Sequence, residues 1–358
     1  MSTGSPAAYV HEWRPQRVRF ATGQAPAAVA DEVERAGFRR IMLIAGESES
    51  AIASHVSAGV PVVARTDEVV MHVPVDVATR ARAIAADHAV DALLCVGGGS
   101  ATGLAKAVAL TSGTPIIAVP TTYAGSEATA VWGLTDTDGK RTGIDGRVVP
   151  RVVVYDAELT LTLPAELSAA SGLNALAHCV DSLWAPQANP INRALALEGA
   201  RQLADGLPRV VAEPHDVSGR EQVLGGAYLA ALSFSSAGSG LHHKICHVLG
   251  GQLDLPHAAT HAVVLPHVLR FNAPCVPDID RALVNAWGGS DAVAGLMALT
   301  ETLGAPRSLM DLGMRREDVE RVAVSVVEVA EQLDNPRPVT KSAMLSLLVA
   351  AWNGATES

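Results

Sequence analysis

Twelve histidines occur in the 358 residues, and three segments space them as chemistry would need. The first segment, Ser171-Gly172-Leu173-Asn174-Ala175-Leu176-Ala177-His178-Cys179, sets Asn174 and His178 four residues apart, on one helix face. The second, Gly240-Leu241-His242-His243-Lys244-Ile245-Cys246-His247, repeats that spacing with His243 and His247. The third, Leu255-Pro256-His257-Ala258-Ala259-Thr260-His261, carries His257 and His261, with His267 farther along. A single histidine on an apolar helix is usually a satisfied core residue. Two i, i+4 polar pairs and a Pro-His step among Ala, Leu and Val point instead to a functional cluster.

Such a cluster has two uses. Imidazole nitrogens ligate borderline divalent ions. Catalytic ions usually add an anionic ligand, however, and the helix partner of His178 is the neutral Asn174. Three imidazoles and one amide would leave the +2 charge uncompensated. The other use is direct: imidazolium groups, with Lys or Arg, hold carboxylates and donate protons near neutral pH. The chain has no G-x-S-x-G elbow and no H-E-x-x-H, which argues against a serine hydrolase and a zinc protease. Its four cysteines form no C-x-x-C pair, so a zinc ribbon and a thioredoxin-like site are unsupported.

A second candidate lies earlier. The apolar run Asp91–Val96 ends in Gly97-Gly98-Gly99-Ser100, followed by the helical text Ala101–Ala107. A strand, a glycine turn and a helix start together form a phosphate cradle: glycines admit the ligand to the backbone, and the helix start offers unpaired N–H donors. Thr102 stands where a G-x-G-x-x-G fingerprint needs glycine, and no GK[ST] follows, so neither standard motif is met. The segment Val119–Glu127, with Thr121, Thr122 and Ser126, follows another buried run and places hydroxyls at the same carboxyl end of a sheet. That end is where open α/β sheets bind ligands, so a dinucleotide is expected.

The elements that must position these residues fall into two textures. Up to residue 156, short β-branched runs (Ile41–Ala45, Val69–Val73, Ala92–Val96, Ile116–Val119, Val152–Tyr155) alternate with helical stretches (Ala27–Ala36, Val75–His88, Ala101–Leu110). This predicts a parallel sheet covered by helices, its strands buried on both faces. Ala128–Leu134, an Asp138-Gly139 turn and Lys140–Ile144 read as a hairpin, and Gln16–Phe20 as an edge strand. Beyond Leu161–Pro164 helical spacing takes over: Asn189–Gly206, Glu221–Phe234, Asp291–Leu303 and Glu317–Leu333. The expected division is therefore an α/β dinucleotide-binding domain over 1–158 and an all-helical substrate domain over 159–358, with the site in the cleft between them.

Composition narrows the partners. Acids number 37 against 27 Lys and Arg, for a formal charge of -10, and aromatic residues are 4%. That balance argues against nucleic acid and anionic membranes. No charge-free stretch approaches the roughly 20 residues of a membrane helix, and the N-terminus lacks an apolar signal core. A cytoplasmic protein is expected.

Five segments carry a family resemblance: GGGSATGLAKA, PTTYAGSEAT, VVVYDAELTLTLP, SGLNALAHCVD and GLHHKICHVLGGQLDLPHAATHAVVLPH. They resemble the iron-containing alcohol dehydrogenase superfamily and, within it, its maleylacetate reductase branch, from about residue 8 to 355. The resemblance implies that family's fold, an α/β nucleotide domain followed by a helical one. It implies NADH or NADPH on Gly97, Gly98, Gly99, Ser100, Thr121, Thr122 and Ser126, with Leu161 near the adenosine. In metal-dependent members an Asp and three His hold the ion. The matching positions here are Asn174, His178, His243 and His257, so the acid is replaced and a metal-free site is implied. The implied reaction reduces the C=C bond of maleylacetate to give 3-oxoadipate, in the breakdown of aromatic compounds. His243 and His257 would stabilise and protonate the enolate, His178 and His247 would place carboxylates, and Asn174 would donate its amide. His242 and Lys140 are further carboxylate partners. Family members commonly form dimers, so a homodimer is expected. The alternatives are a reductase for another unsaturated or carbonyl substrate and a metal-dependent alcohol dehydrogenase. Glu47, after the Ile41 run, is a candidate for holding the ribose 2′-OH and favouring NADH.

Overall fold

The computed structural model describes residues 8–137, 139–331 and 333–354, with Lys140 described without its side chain. In chain order the sheet-forming part runs β1 (Arg17–Phe20), α1 (Ala25–Ala36), β2 (Ile41–Ile44), α2 (Ser50–Val56), β3 (Val62–Thr66), α3 (Val75–Asp87), β4 (Ala92–Gly97), α4 (Gly99–Ser112), β5 (Ile116–Pro120), β6 (Val131–Asp136), β7 (Gly139–Ile144) and β8 (Val152–Tyr155). The helical part follows: α5 (Ala165–Ser182), α6 (Pro190–Ala212), α7 (Val217–Ala237), α8 (Leu241–Leu253), α9 (His257–Asn272), α10 (Pro277–Trp287), α11 (Ala292–Thr302), α12 (Asp318–Ala330) and α13 (Lys341–Asn353).

Six strands form one parallel sheet in the order β1-β8-β5-β4-β2-β3. Strands β2, β4, β5 and β8 are buried at every position, which is why each reads as an unbroken apolar run. The chain passes from β2 to β3 on one side and returns as β4 on the other. The order therefore reverses between β2 and β4, the point where open α/β sheets take ligands. Among the described strands β1 pairs with β8 and lies at the edge, as expected. The hairpin is β6–β7; Asp138 of its expected turn lies outside the described residues.

One expected strand is not one. Val69–Val73 is irregular, with His72 and Val73 at φ of +64° and +47°. The strand at that edge of the sheet is β3, whose mixed burial leaves no continuous apolar run to read. Val73 is buried even so, against Gly103 of α4, where a Cβ would come within 2.9 Å of its Cγ2.

The described chain separates into two compact units: one of Arg14–Ser168 with Ala212–Tyr228, the other of Ala169–Val211 and 229–354, which also includes 8–13. The first unit's core joins the sheet to α1 and α2 through Val29, Val33, Ala53, Val56, Leu94 and Val154. The second unit's main core joins α8, α9, α12 and α13 through Ile245, Leu249, Val264, Val322, Val326 and Leu348. No helix among the described residues is long and apolar enough to cross a membrane.

Leu94 sits at the sheet's centre, opposite Leu43 of β2 and Ile117 of β5, with no exposed surface. Leu94→Ala is expected to remove about 2–5 kcal/mol of stability in urea unfolding. A loss under about 1 kcal/mol would show that this site collapses around the missing atoms.

Candidate active site: a carboxylate-anchored imidazole cluster

Three polar residues share one face of α5: Asn174, His178 and Asp181, at i, i+4 and i+7. Asp181 is fully buried and meets the first turn of α8. Its Oδ2 accepts from the backbone N–H of Gly240 at 2.8 Å and of His243 at 3.3 Å; its Oδ1 accepts from His242 N–H at 3.3 Å. A carboxylate therefore satisfies the N–H groups that a helix start leaves open, where the helix dipole favours negative charge. The approach is close enough that a Cβ on Gly240 would fall 2.4 Å from Asp181 Oδ1.

The same Oδ2 lies 2.7 Å from His243 Nδ1. The ring's Nδ1–H donates there, and Nε2 keeps its lone pair. That Nε2 is buried with no partner, as are His178 Nδ1 and Asn174 Oδ1. The His178 and His243 rings stack at 5.1 Å with a 14° interplanar angle, and Phe234 packs 4.6 and 4.4 Å from their centroids. His247 lies one turn along α8, 6.2 Å from His243 between ring centroids.

Behind them sits a second layer. His242 Nε2 and His261 Nδ1 are 2.9 Å apart, and Cys246 Sγ is 3.6 Å from His242 Nε2. The His261 ring centroid lies 5.0 Å from that of His243 and 4.4 Å from that of His257. His242, Cys246 and His261 are all buried, and their donor atoms lie within 4.8 Å of one another, a grouping that could accept a soft or borderline ion. Burial pushes the Cys246 thiol well above its usual range, so the group is an uncharged thiol and two imidazoles sharing a hydrogen bond.

Burial also sets the cluster's protonation. It drives His178, His242, His243 and His261 well below the ordinary imidazole value, and neighbouring histidines add to the effect. Burial raises Asp181, against the pull of His242 and the backbone N–H groups. Ringed by donors, Asp181 is the anion of the group and the buried imidazoles are neutral.

The sheet unit holds the other candidate site. Gly97 ends β4 at φ +143°, and Gly98 caps α4 with no side chain on the helix's first N–H groups. Thr121 N–H donates to Gly97 O at 3.2 Å, which joins the glycine turn to the hydroxyl loop. A Cβ on Gly98 would come 3.0 Å from Thr122 Cγ2, and one on Gly99 3.6 Å from Ala124 Cβ. Gly97, Gly98, Gly99, Ser100, Thr121 and Thr122 thus line one open helix N-terminus. Ser126 opens a short turn four residues beyond Thr122, and half-buried Leu161 follows the turn Ala157–Thr160. Glu47 is exposed; the acid beside the glycine turn is Glu49, whose Cγ lies 3.7 Å from a Cβ built on Gly97.

The structure thus joins His178, His243, His247, His257 and His261 through ring contacts, with Asn174 on the His178 face. His242 points into the second layer. His247 and His257 are the exposed members. Lys140 lies in β7 opposite Thr135, and its side chain is outside the described residues. Asp181 escaped the sequence reading, although its place three residues after His178 marked it on the same face. Asp181→Asn would turn an amide N–H₂ toward a backbone N–H. We expect a loss of about 1–3 kcal/mol in thermal or denaturant unfolding; unchanged stability would remove the carboxylate from its anchoring role.

The sequence matches the iron-containing alcohol dehydrogenase family over residues 15–157 and the C-terminal region of the same family over 168–352. A maleylacetate reductase of Sphingobium indicum is 44% identical over 347 residues, covering 97% of this chain and 98% of that protein. The crystal structure of an iron-containing alcohol dehydrogenase from Corynebacterium glutamicum is 53% identical, with a TM-score of 0.96 and 98% of each chain covered. That of a maleylacetate reductase from Rhizobium sp. is 41% identical, with a TM-score of 0.93, covering 97% of this chain and 99% of that one. With this fold, a glycine turn at the sheet's switch point and near full-length likeness, the chain belongs to the iron-containing alcohol dehydrogenase family of NAD(P)-using oxidoreductases, of the type its maleylacetate reductase relatives represent.

Proposed function

We propose that this protein reduces the carbon–carbon double bond of maleylacetate with NADH or NADPH, giving 3-oxoadipate, and does so without a resident metal ion. One observation carries the reading. His243 is fixed by Asp181 so that its Nε2 stays buried and unpartnered, beside the similarly unpartnered His178 Nδ1 and Asn174 Oδ1. Buried polar atoms are normally satisfied, so three orphans on two facing helices are groups waiting for a polar guest. The near full-length likeness to maleylacetate reductases supports maleylacetate as that guest.

The donor chemistry disfavours a divalent ion at the matching positions. Asn174, His178, His243 and His257 include no anion. Asp181, the nearby carboxylate, already accepts three backbone N–H groups and the His243 Nδ1–H. In the second layer, His242 and His261 direct their facing nitrogens at each other. An ion there would have to displace that bond and ionise a strongly raised thiol.

Maleylacetate carries two carboxylates and an alkene conjugated to a ketone. The reduced nicotinamide, when bound, supplies the hydride to the alkene carbon β to the ketone. Negative charge then grows on the ketone oxygen, and a proton must reach the carbon between. The buried imidazoles of the free cluster are neutral, so they cannot begin as the acid. The substrate's two charges favour imidazolium, and the cluster takes up protons as it binds. His243 then holds Asp181 through Nδ1–H and presents Nε2–H to the enolate, with His257 beside it through His261. His178, His247 and the Asn174 amide hold the carboxylates, and Lys140 is a further carboxylate partner. His242 acts on His261, from behind.

The decisive experiment is NADH and NADPH oxidation with maleylacetate before and after dialysis against a chelator, alongside His243→Ala. Expected are unchanged turnover after chelation and a kcat at least about 100-fold lower in the variant, with cofactor affinity within about twofold. Activity lost on chelation and restored by iron or zinc would refute the metal-free reading, and full turnover in His243→Ala would remove that residue. The pH dependence has a definite sign. Because imidazoles depressed by burial must be protonated to hold a dianion, KM for maleylacetate should rise as pH goes from 6 to 8. A KM that is flat or falls over that range would contradict proton uptake on binding.

A further inference from the structure

A buried cation lies in the sheet unit, outside the mechanism above. Lys106 is 1% exposed, on α4, and the acceptors of its ammonium among the described residues are carbonyls and a hydroxyl. Its Nζ donates instead to the carbonyls of Ser126 at 2.6 Å, Val131 at 2.8 Å and Thr129 at 2.9 Å, with Thr129 Oγ1 at 3.1 Å. The nearest acid in sequence to these acceptors, Glu127, is buried, and its Oε1 accepts from Tyr155 OH at 2.6 Å. Three ammonium hydrogens thus meet three carbonyls within one six-residue stretch. A neutral amine would leave a lone pair facing a carbonyl, so the arrangement suits the charged form. Burial opposes that form, pulling Lys106 down to about 7, and the charge of Glu127 restrains the fall.

A lysine needed only for stability would be an expensive choice, because an apolar side chain packs such a site without burying a charge. Its location gives the reason. Lys106 lies seven residues after Gly99, on the same face of α4 and about 10 Å along the helix. The N-terminus of that helix is the glycine turn. The stretch Lys106 grips begins at Ser126, where the hydroxyl loop ends. One rigid helix therefore carries the first cofactor loop at its end and anchors the second by its side. The two loops meet with little slack, since a Cβ on Gly98 would stand 3.0 Å from Thr122. A second buried cation braces the same loop from elsewhere: Arg220, also fully buried, donates to Tyr123 OH at 3.0 Å and to Leu163 O at 3.1 Å.

We propose that Lys106 is a positioning residue for the nicotinamide cofactor: its buried ammonium ties the stretch Ser126–Val131 to α4 and so sets the gap between the glycine turn and the hydroxyl loop. The proposal rests on the reading that these two loops hold the dinucleotide. Lys106 itself touches no substrate.

The test compares Lys106→Met, Thr129→Val, Thr129→Ser and Gly98→Ala with the parent protein. NADH affinity is read by fluorescence titration well below each variant's unfolding temperature, and KM for maleylacetate at saturating NADH. Lys106→Met should weaken NADH binding about tenfold or more while moving the KM for maleylacetate less than twofold. Thr129→Val, which removes only the hydroxyl, should weaken NADH binding about two- to fivefold, and Thr129→Ser should restore it. A merely structural lysine would lower the unfolding temperature of Lys106→Met and leave the affinity of the folded protein intact, which would overturn the proposal. Should Lys106→Met fail to fold, equal NADH affinity in Thr129→Val and the parent overturns it. Gly98→Ala separates the two levels. If it too binds NADH normally, the cofactor reading fails along with the inference; if it alone loses binding, only the role of Lys106 fails.

Discussion

The carboxylate of Asp181 at the start of α8 is the constraint on which the helical unit's chemistry depends. It accepts the N–H groups of Gly240, His242 and His243 and, through the same atoms, the Nδ1–H of His243. One side chain thereby caps a helix, docks it on α5 and chooses a ring tautomer. The tautomer matters most, because it leaves the lone pair of Nε2 uncommitted, like the buried orphans on α5. Gly240 makes the approach possible, since any side chain there would meet Asp181 before the helices reached this spacing. Orientation by a buried carboxylate is the arrangement that fixes imidazoles in catalytic triads and metal sites alike. What distinguishes the two uses here is the chemistry of the other donors, which are neutral.

The two candidate sites treat negative charge differently. In the sheet unit, the groups offered to a phosphate are permanent: open N–H donors at the start of α4 and the dipole of the helix behind them. The buried cations of that unit, Lys106 and Arg220, are spent on backbone carbonyls and hydroxyls of the loops. They shape the site without occupying it. In the helical unit, charge is conditional. Burial holds the imidazoles neutral until something negative arrives to make protonation favourable.

Much of this was legible in the residues. Strands buried on both faces can only be apolar, so the runs Ile41–Ala45, Ala92–Val96, Ile116–Val119 and Val152–Tyr155 stood out, within a residue of the strands' ends. An edge strand faces mixed surroundings, and β3 accordingly left no run, while Val69–Val73 imitated a strand although Val70 and Met71 are exposed and Val73 is its buried residue. The histidine segments were visible because i, i+4 spacing is local. The division of labour among them was not. His242 and His243 are adjacent, and the 100° turn between successive helical residues sends one to His261 and the other to Asp181. Asp181 and Lys106 stayed hidden for a related reason. Each looks like an ordinary helical polar residue until the chain brings its partners, 62 and up to 25 positions away, against it. Pairings of that range leave no pattern in a single sequence.

The conditional charge of the imidazole cluster has a consequence for selectivity. A pocket lined with fixed cations would collect chloride, phosphate and every monoacid in its surroundings. A pocket whose imidazoles are uncharged at rest makes each visitor bring the field that protonates them. A single carboxylate provides about half the inducement of two, so monoacids gain little hold, and discrimination follows from the number of charges the visitor carries as much as from its shape.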